Sequence, residues 1–233
     1  MSSESRQQRK ADVNSRAQTP NHMYGYCRII GCPNPATQGE GKGLNRLYCR
    51  KHEDHRQRHG SYTKGSYPVS VIHPLREAAL QWIIANEDQR TVQLAIEAVR
   101  GLYRRAGPAI EAHRLAGLSP EQRANAAWAR LREAGVDPRK PLAAWLAIEL
   151  AASQDQQPET KPEFKRVQAA KLVHRMASGT HKRWERERGD GSVAVTEMHK
   201  YPASRGRVLR HLGEQLENAA GILVGPCLAT IEQ

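Results

Sequence analysis

Leu142-Ala143-Ala144-Trp145-Leu146-Ala147-Ile148 is an uncharged run, apolar nearly all round, preceded by the start signal Asp137-Pro138. A helix that is hydrophobic on every side belongs inside a protein, with other elements packed around it. This run is therefore read as the most buried element. The flanking sequence supplies its neighbours. Ser119-Pro120-Glu121-Gln122 offers a Ser N-cap, a Pro at the first helical position and a Gln able to close a capping box. The helix it opens carries Ala126, Ala127, Trp128 and Leu131 and stops at Gly135. Before it, residues 90–105 place Val92, Ala95, Ile96, Val99, Leu102 and Tyr103 on one stripe, ended by Gly107-Pro108. A short helix to about 115 is expected next. Leu75, Ala78, Ala79, Trp82, Ile83 and Ile84 fit a helical face that starts near Pro74. The segment 67–73 ahead of it reads as an extended connector.

Composition agrees with helices. Of 233 residues, 39% are hydrophobic but only 5% aromatic, with a single Phe, so Ala and Leu must fill the core. No apolar run is long enough to span a bilayer, and the polar N-terminus lacks the apolar segment of a secretion signal. A cytoplasmic protein with no membrane partner is the expectation.

Beyond a polar linker at 153–162, a basic helix is expected over about 162–177, closed by Gly179. The period then changes: 181–187 and 192–200 flank Arg188-Gly189-Asp190-Gly191 and read as a β-hairpin. A last helix is expected from 204 to about 220, with 222–231 as a short strand or a packed tail.

Net charge is +12, distributed unevenly. Residues 1–66 hold 12 Lys/Arg against 5 Asp/Glu, residues 67–160 hold 11 against 11, and residues 161–233 hold 13 against 8. Basic ends around a neutral middle suit contact with a polyanion by the ends.

The basic N-terminal part contains three of the four cysteines. Cys27, Cys32, Cys49 and His52 are spaced Cys-x4-Cys-x16-Cys-x2-His. A turn relieved by Gly31 brings the first two ligands together. Residues three apart on a helix share a face, which suits Cys49 and His52. Three thiolates and one imidazole fill a tetrahedral zinc shell and leave no position for a substrate water, so the expected Zn2+ is structural. His55, one turn further on, is the alternative fourth ligand. Such a site supplies about 10 kcal/mol of folding free energy to a module too small to fold alone. Cys227 stands apart and reads as a small buried hydrophobe.

The strings Cys27-Arg28-Ile29-Ile30-Gly31-Cys32, Leu47-Tyr48-Cys49-Arg50-Lys51-His52 and Arg56-Gln57-Arg58-His59-Gly60 resemble the treble-clef zinc modules attached to phage-type HNH endonucleases and related mobile-element proteins. The resemblance covers about 35 residues of this chain. It implies a nucleic-acid-binding finger with a basic helix. The catalytic part of that family does not follow: after residue 60 no His…Asn…His run occurs. The fold class is thus mainly α, with a small N-terminal treble-clef-like zinc module and a C-terminal β-hairpin. The expected organisation is a disordered basic tail (1–22), the zinc module (23–66), a helical domain (74–152) and a basic helix–hairpin–helix segment (162–233).

Two constellations are candidates for nucleic-acid contact. Around the metal helix they are Arg50, Lys51, Arg56, Arg58 and Lys64, with Tyr62 and Tyr67 as stacking surfaces. Near the hairpin they are Lys171, Arg175, Lys182 and Arg183, then Arg205 and Arg207, with Lys165, Arg166 and Arg210 adding charge. The Ser178-Gly179-Thr180-His181 turn offers backbone N–H groups and hydroxyls to a phosphate. Trp184 either joins Arg183 in opening a two-stranded ribbon that fits a major groove or plugs the core. His174 and His181 are the ingredients of a phosphoryl-transfer site, but no recombinase or metal-nuclease pattern accompanies them, so no residue is assigned as catalytic. The functional expectation is a zinc-containing nucleic-acid-binding protein, with double-stranded DNA favoured over RNA, of phage or mobile-element type. A metal-dependent nuclease, and a protein-interaction or self-associating component using the helical middle, are the alternatives.

Overall fold

The computed structural model describes residues 7–8, 10–11, 14–15, 25–37, 46–157, 161–189, 192–203 and 206–231. The chain divides into two compact units, Met1–Lys64 and Gly65–Gln233. Most of the tail 1–22 lies outside the described residues, as do 38–45.

Helix α1 (Arg50–His59) lies in the first unit. The second holds α2 (Val69–Ala85), α3 (Arg90–Arg105), a 3-10 turn (Ala112–Leu115), α4 (Pro120–Glu133), α5 (Arg139–Ser153) and α6 (Pro162–His174). After these come β1 (Thr180–Glu187), β2 (Val193–Lys200), α7 (Arg207–Ala220), a second 3-10 turn (Gly221–Leu223) and α8 (Val224–Ile231). The fold is mainly helical, with one antiparallel hairpin near the C-terminus.

The apolar run lies in α5 and is the centre of this unit. Ten of its residues, from Pro141 to Ala151, are buried. Helices α2, α3, α6, α7 and α8 all pack against it. Helix α4 starts with the expected capping box: Ser119 Oγ accepts from Gln122 N (3.2 Å), and Gln122 Oε1 accepts from Ser119 N (3.0 Å). Trp128 Nε1 donates to Gln215 Oε1 at 2.7 Å, tying α4 to α7 inside an apolar layer. Ion pairs Arg166–Glu217 and Arg210–Glu163 join α6 to α7, and Lys165–Glu149 joins α6 to α5. The two helices approach closely at Gly213, where a Cβ would collide with the Arg166 carbonyl.

Two expectations need correction, and two open readings are resolved. Residues 69–73 are helical rather than extended: α2 begins directly after Pro68, and Pro74 sits inside it. The missing N–H of Pro74 would have bonded the carbonyl of Ser70, which is exposed, so water replaces that bond at low cost. Ile72 is buried one turn before the expected face, and its burial favours the extra turn. Helix α6 ends at His174, not 177; Arg175 N and Met176 N make tightened three-residue bonds to Leu172 and Val173 carbonyls. The tail 222–231 is helical because Leu223 and Cys227, four apart, are both fully buried on one side. Pro226 falls in the first turn of α8, where backbone N–H groups lack intrahelical partners anyway. Trp184 is 47% exposed and is not a core residue.

In the hairpin, Thr180 faces Lys200 and Glu187 faces Val193. The Asp190-Gly191 part of its turn lies outside the described residues. Alternation sorts the ribbon into two faces. Thr180, Lys182, Trp184 and Arg186 share one face with Lys200, Met198, Thr196 and Ala194, which contains no carboxylate. The other face carries His181, Arg183, Glu185 and Glu187 with His199, Glu197, Val195 and Val193.

Candidate metal centre

The first unit is built around a chain reversal. Cys27 N donates to the Asn34 carbonyl (3.0 Å) and Ala36 N to the Gly25 carbonyl (3.1 Å), with Tyr26 and Pro35 forming a bridge. Cys32 N closes the turn onto the Ile29 carbonyl at 3.0 Å. Gly31 takes φ 77°, a conformation that most side chains would strain. The second ligand pair is brought in by Arg28 N to the Leu47 carbonyl (2.8 Å) and Thr37 N to the Tyr48 carbonyl (3.1 Å). Cys49 is the N-cap of α1, so its thiol and the His52 ring rise from the same first turn.

The ligand atoms of Cys27, Cys32, Cys49 and His52 lie within 4.8 Å of one another. Cys27 Sγ is 3.3 Å and Cys49 Sγ 3.2 Å from His52 Nδ1, and Cys32 Sγ is 3.9 Å from Cys49 Sγ. A tetrahedral zinc ion with sulfur ligands near 2.3 Å and nitrogen near 2.0 Å requires edges of roughly 3.5–3.8 Å. The cluster has that size, and its four ligands can hold one metal ion. Burial works against ionising Cys27, but hydrogen bonds from the Cys49 and Ile29 backbone and from neighbouring thiols outweigh it, and its pKa falls below the usual thiol value. Burial and the adjacent Cys27 push Cys49 the other way. Three thiolates crowded together require a cation to ionise jointly, which is what a metal supplies. His52 lies in the cluster and His55 does not: His55 Nδ1 lies 2.9 Å from the Ser61 carbonyl, and its ring stacks on His59.

The exposed side of α1 carries Arg50, Lys51 and Arg58, with Asp54 and Gln57 between them. Arg56 is on the inner side: it pairs with Glu53 (3.6 Å) and lies over the Tyr62 ring, which is stacked on Tyr48 at 3.6 Å. Lys64 is half-buried, its backbone N–H bonded to Ser61 Oγ. Tyr67 packs edge-on against Phe164. Both tyrosines are half-buried and take part in packing.

The second constellation is more dispersed than its sequence suggests. Lys165, Arg166 and Arg210 are engaged in the interhelical ion pairs described above. Lys171 donates to Ser66 Oγ (3.0 Å), and burial followed by the nearby Arg175 lowers its pKa to about 8. Lys182 pairs with Glu111, and Arg183 with Glu185 at 3.1 Å. Arg175 and Arg207 are exposed; Arg205 lies outside the described residues. His174 is 2% exposed beneath Tyr201, which removes it from any reaction on a bound substrate.

Two participants had no usable sequence signal. Asn34 Nδ2 reaches Cys49 Sγ at 4.0 Å, a polar contact behind the ligands set by the turn and not by a motif. Arg130 lies in an alanine-rich helix far along the chain from the residues it meets. The chain matches no protein-family model, no curated protein and no solved structure. Among the described residues, no helix is long and apolar enough to cross a membrane.

Proposed function

We propose that the metal is zinc, that it holds residues 25–60 as a treble-clef-like finger, and that the chain binds nucleic acid, duplex DNA in preference to RNA. One observation carries the reading. The helix whose first turn supplies Cys49 and His52 presents Arg50, Lys51 and Arg58 to solvent on its other side. A metal that fixes the first turn fixes the direction of all three cations, and guanidinium and ammonium groups are the donors phosphate oxygens take. The carboxylate-free face of the hairpin, with exposed Trp184 and Arg186, suits the same ligand. The similarity of the finger to phage and mobile-element modules supports a role of that type.

The experiment is fluorescence anisotropy with labelled duplex DNA over a salt series, with RNA as competitor. Each neutralised phosphate contributes about 0.9 to the slope of log affinity against log salt. Replacing Arg50, Lys51 and Arg58 by Ala should lower that slope by roughly 2 to 3. No binding at low salt overturns the proposal.

A protein-binding role is the second reading, favoured by exposed Val193 and Val195 on the other face of the hairpin. Partners retained from nuclease-treated lysate would support it. The nuclease reading finds no support in His174, which is enclosed.

A further inference from the structure

Three arginines of the second unit, Arg123 and Arg130 on α4 and Arg175 after α6, have no ion pair with any described carboxylate. Arg123 and Arg130 meet backbone carbonyls, and Arg130 an aromatic ring, whereas Arg175 is exposed. Arg130 Nη2 donates to the His174 carbonyl at 2.5 Å, and its Cζ lies 5.1 Å over the Tyr201 ring. Arg123 Nη2 reaches only the Ala203 carbonyl, at 3.4 Å. The Nε and Nη1 atoms of Arg130 and the Nε of Arg123 are buried without an acceptor. A charged donor left without a partner costs more than a neutral one, so the buried, unpartnered nitrogens of Arg123 and Arg130 favour an anion nearby.

Arg130 also lines a pocket of about 290 Å³. Its other walls include Ser178, Gly179, Thr180, His181 and Lys182, the turn that opens the hairpin. The turn is held rigidly: Thr180 Oγ1 accepts from Ala112 N at 2.8 Å, and a Cβ on Gly179 would collide with the Lys200 carbonyl. Two carboxylates reach the pocket. Glu111 is neutralised by Lys182, and Glu133 is exposed at the rim. Next door, burial first and then Arg130, Arg175 and Arg123 lower the pKa of His174 to about 3.

The geometry points to a binding site for a phosphate group in this pocket, with Arg130 as its anchor and Ser178 and His181 lining it beside the Lys182–Glu111 pair. The pocket lies wholly in the second unit and does not depend on the metal module or on the nucleic-acid proposal. The phosphate belongs either to a small phosphorylated ligand or to a nucleic-acid backbone, and the two are separated by competition.

The test is titration of the full-length protein with inorganic phosphate at constant ionic strength, read by thermal shift and calorimetry, with chloride as control. A saturable rise in melting temperature with phosphate alone is expected. Arg130→Gln should weaken phosphate by about 10- to 100-fold, the range of a charged hydrogen bond. Should that variant fail to fold, Glu133→Gln decides: removing the rim carboxylate must tighten phosphate severalfold. Displacement of phosphate by duplex DNA assigns the site to a backbone; persistence of phosphate binding in saturating DNA assigns it to a small ligand. No shift in the wild type, equal affinity in Arg130→Gln, or unchanged affinity in Glu133→Gln overturns the inference.

Discussion

Cys49 has two tasks. It is a thiol of the candidate metal cluster and also the N-cap residue of α1, where its side chain makes no capping hydrogen bond, so losing it removes the metal's hold on the first turn and leaves the backbone cap in place. Cys49→Ser and His52→Ala should each abolish stoichiometric zinc, with a loss on the order of 10 kcal/mol to the module. His55→Ala should retain the metal, because His55 is bonded to the Ser61 carbonyl and not to the cluster. Metal analysis of the purified variants checks all three. At His174 the residue scale governs pH response. Burial lowers its pKa from 6.5 to about 3, so the unfolded state binds more protons between those values. Its contribution to stability is therefore complete above pH 6.5 and is lost as pH falls toward 3, at about 1.4 kcal/mol per unit. Urea midpoints at pH 7, 5 and 4 should fall less steeply in His174→Phe than in the wild type.

Elements separate the two most informative tryptophans. Trp145 in α5 is 1% exposed at the centre of the helical unit, whereas Trp184 in β1 is 47% exposed. Trp145→Ala should cost about 3–5 kcal/mol. Trp184→Ala should cost under about 1 kcal/mol yet weaken DNA binding if the hairpin face is used. Denaturant unfolding and anisotropy on the same samples distinguish the outcomes. The same contrast shows what the sequence reveals. The α5 run, the α4 capping box and the 90–105 stripe were legible because each depends on local chemistry: an unbroken apolar surface, a Ser and Gln at fixed spacing, a 3.6-residue period. The ligand set was legible for the same reason, since Cys49 and His52 need only one helical turn. Pro74 hid the first turn of α2 because a proline's usual helix-ending effect depends on whether the orphaned carbonyl meets water. Trp184 stayed open in the sequence because alternation shows which residues share a face and not whether that face is covered. Lys165, Arg166 and Arg210 read as a basic surface because their partners Glu149, Glu217 and Glu163 come from other helices, a pairing that only tertiary structure displays.

At the scale of the whole molecule, the two units differ in what holds them. Gly65–Gln233 has a continuous apolar core running from Ile72 to Cys227, with α5 at its centre. In Met1–Lys64, the described buried side chains amount to Cys27, Ala36, Cys49 and Ser61, and two of these four belong to the candidate metal cluster. So little apolar burial among the described residues cannot offset the entropy of ordering them, and a bound metal would supply the difference. Chelation of the full-length protein should therefore loosen the first unit while leaving the second intact. Limited proteolysis with and without chelator measures this: cuts should appear within Met1–Lys64, and a fragment close to Gly65–Gln233 should survive. Far-ultraviolet circular dichroism should fall only slightly, since α1 contributes 10 helical residues and the larger helices lie in the other unit. Collapse of both units together would show that the second depends on the metal and that its own core is insufficient. Affinity for DNA gives the matching functional readout. If Arg50, Lys51 and Arg58 act through the orientation of α1, chelation must reduce the salt slope as far as replacing all three does, although their charges remain.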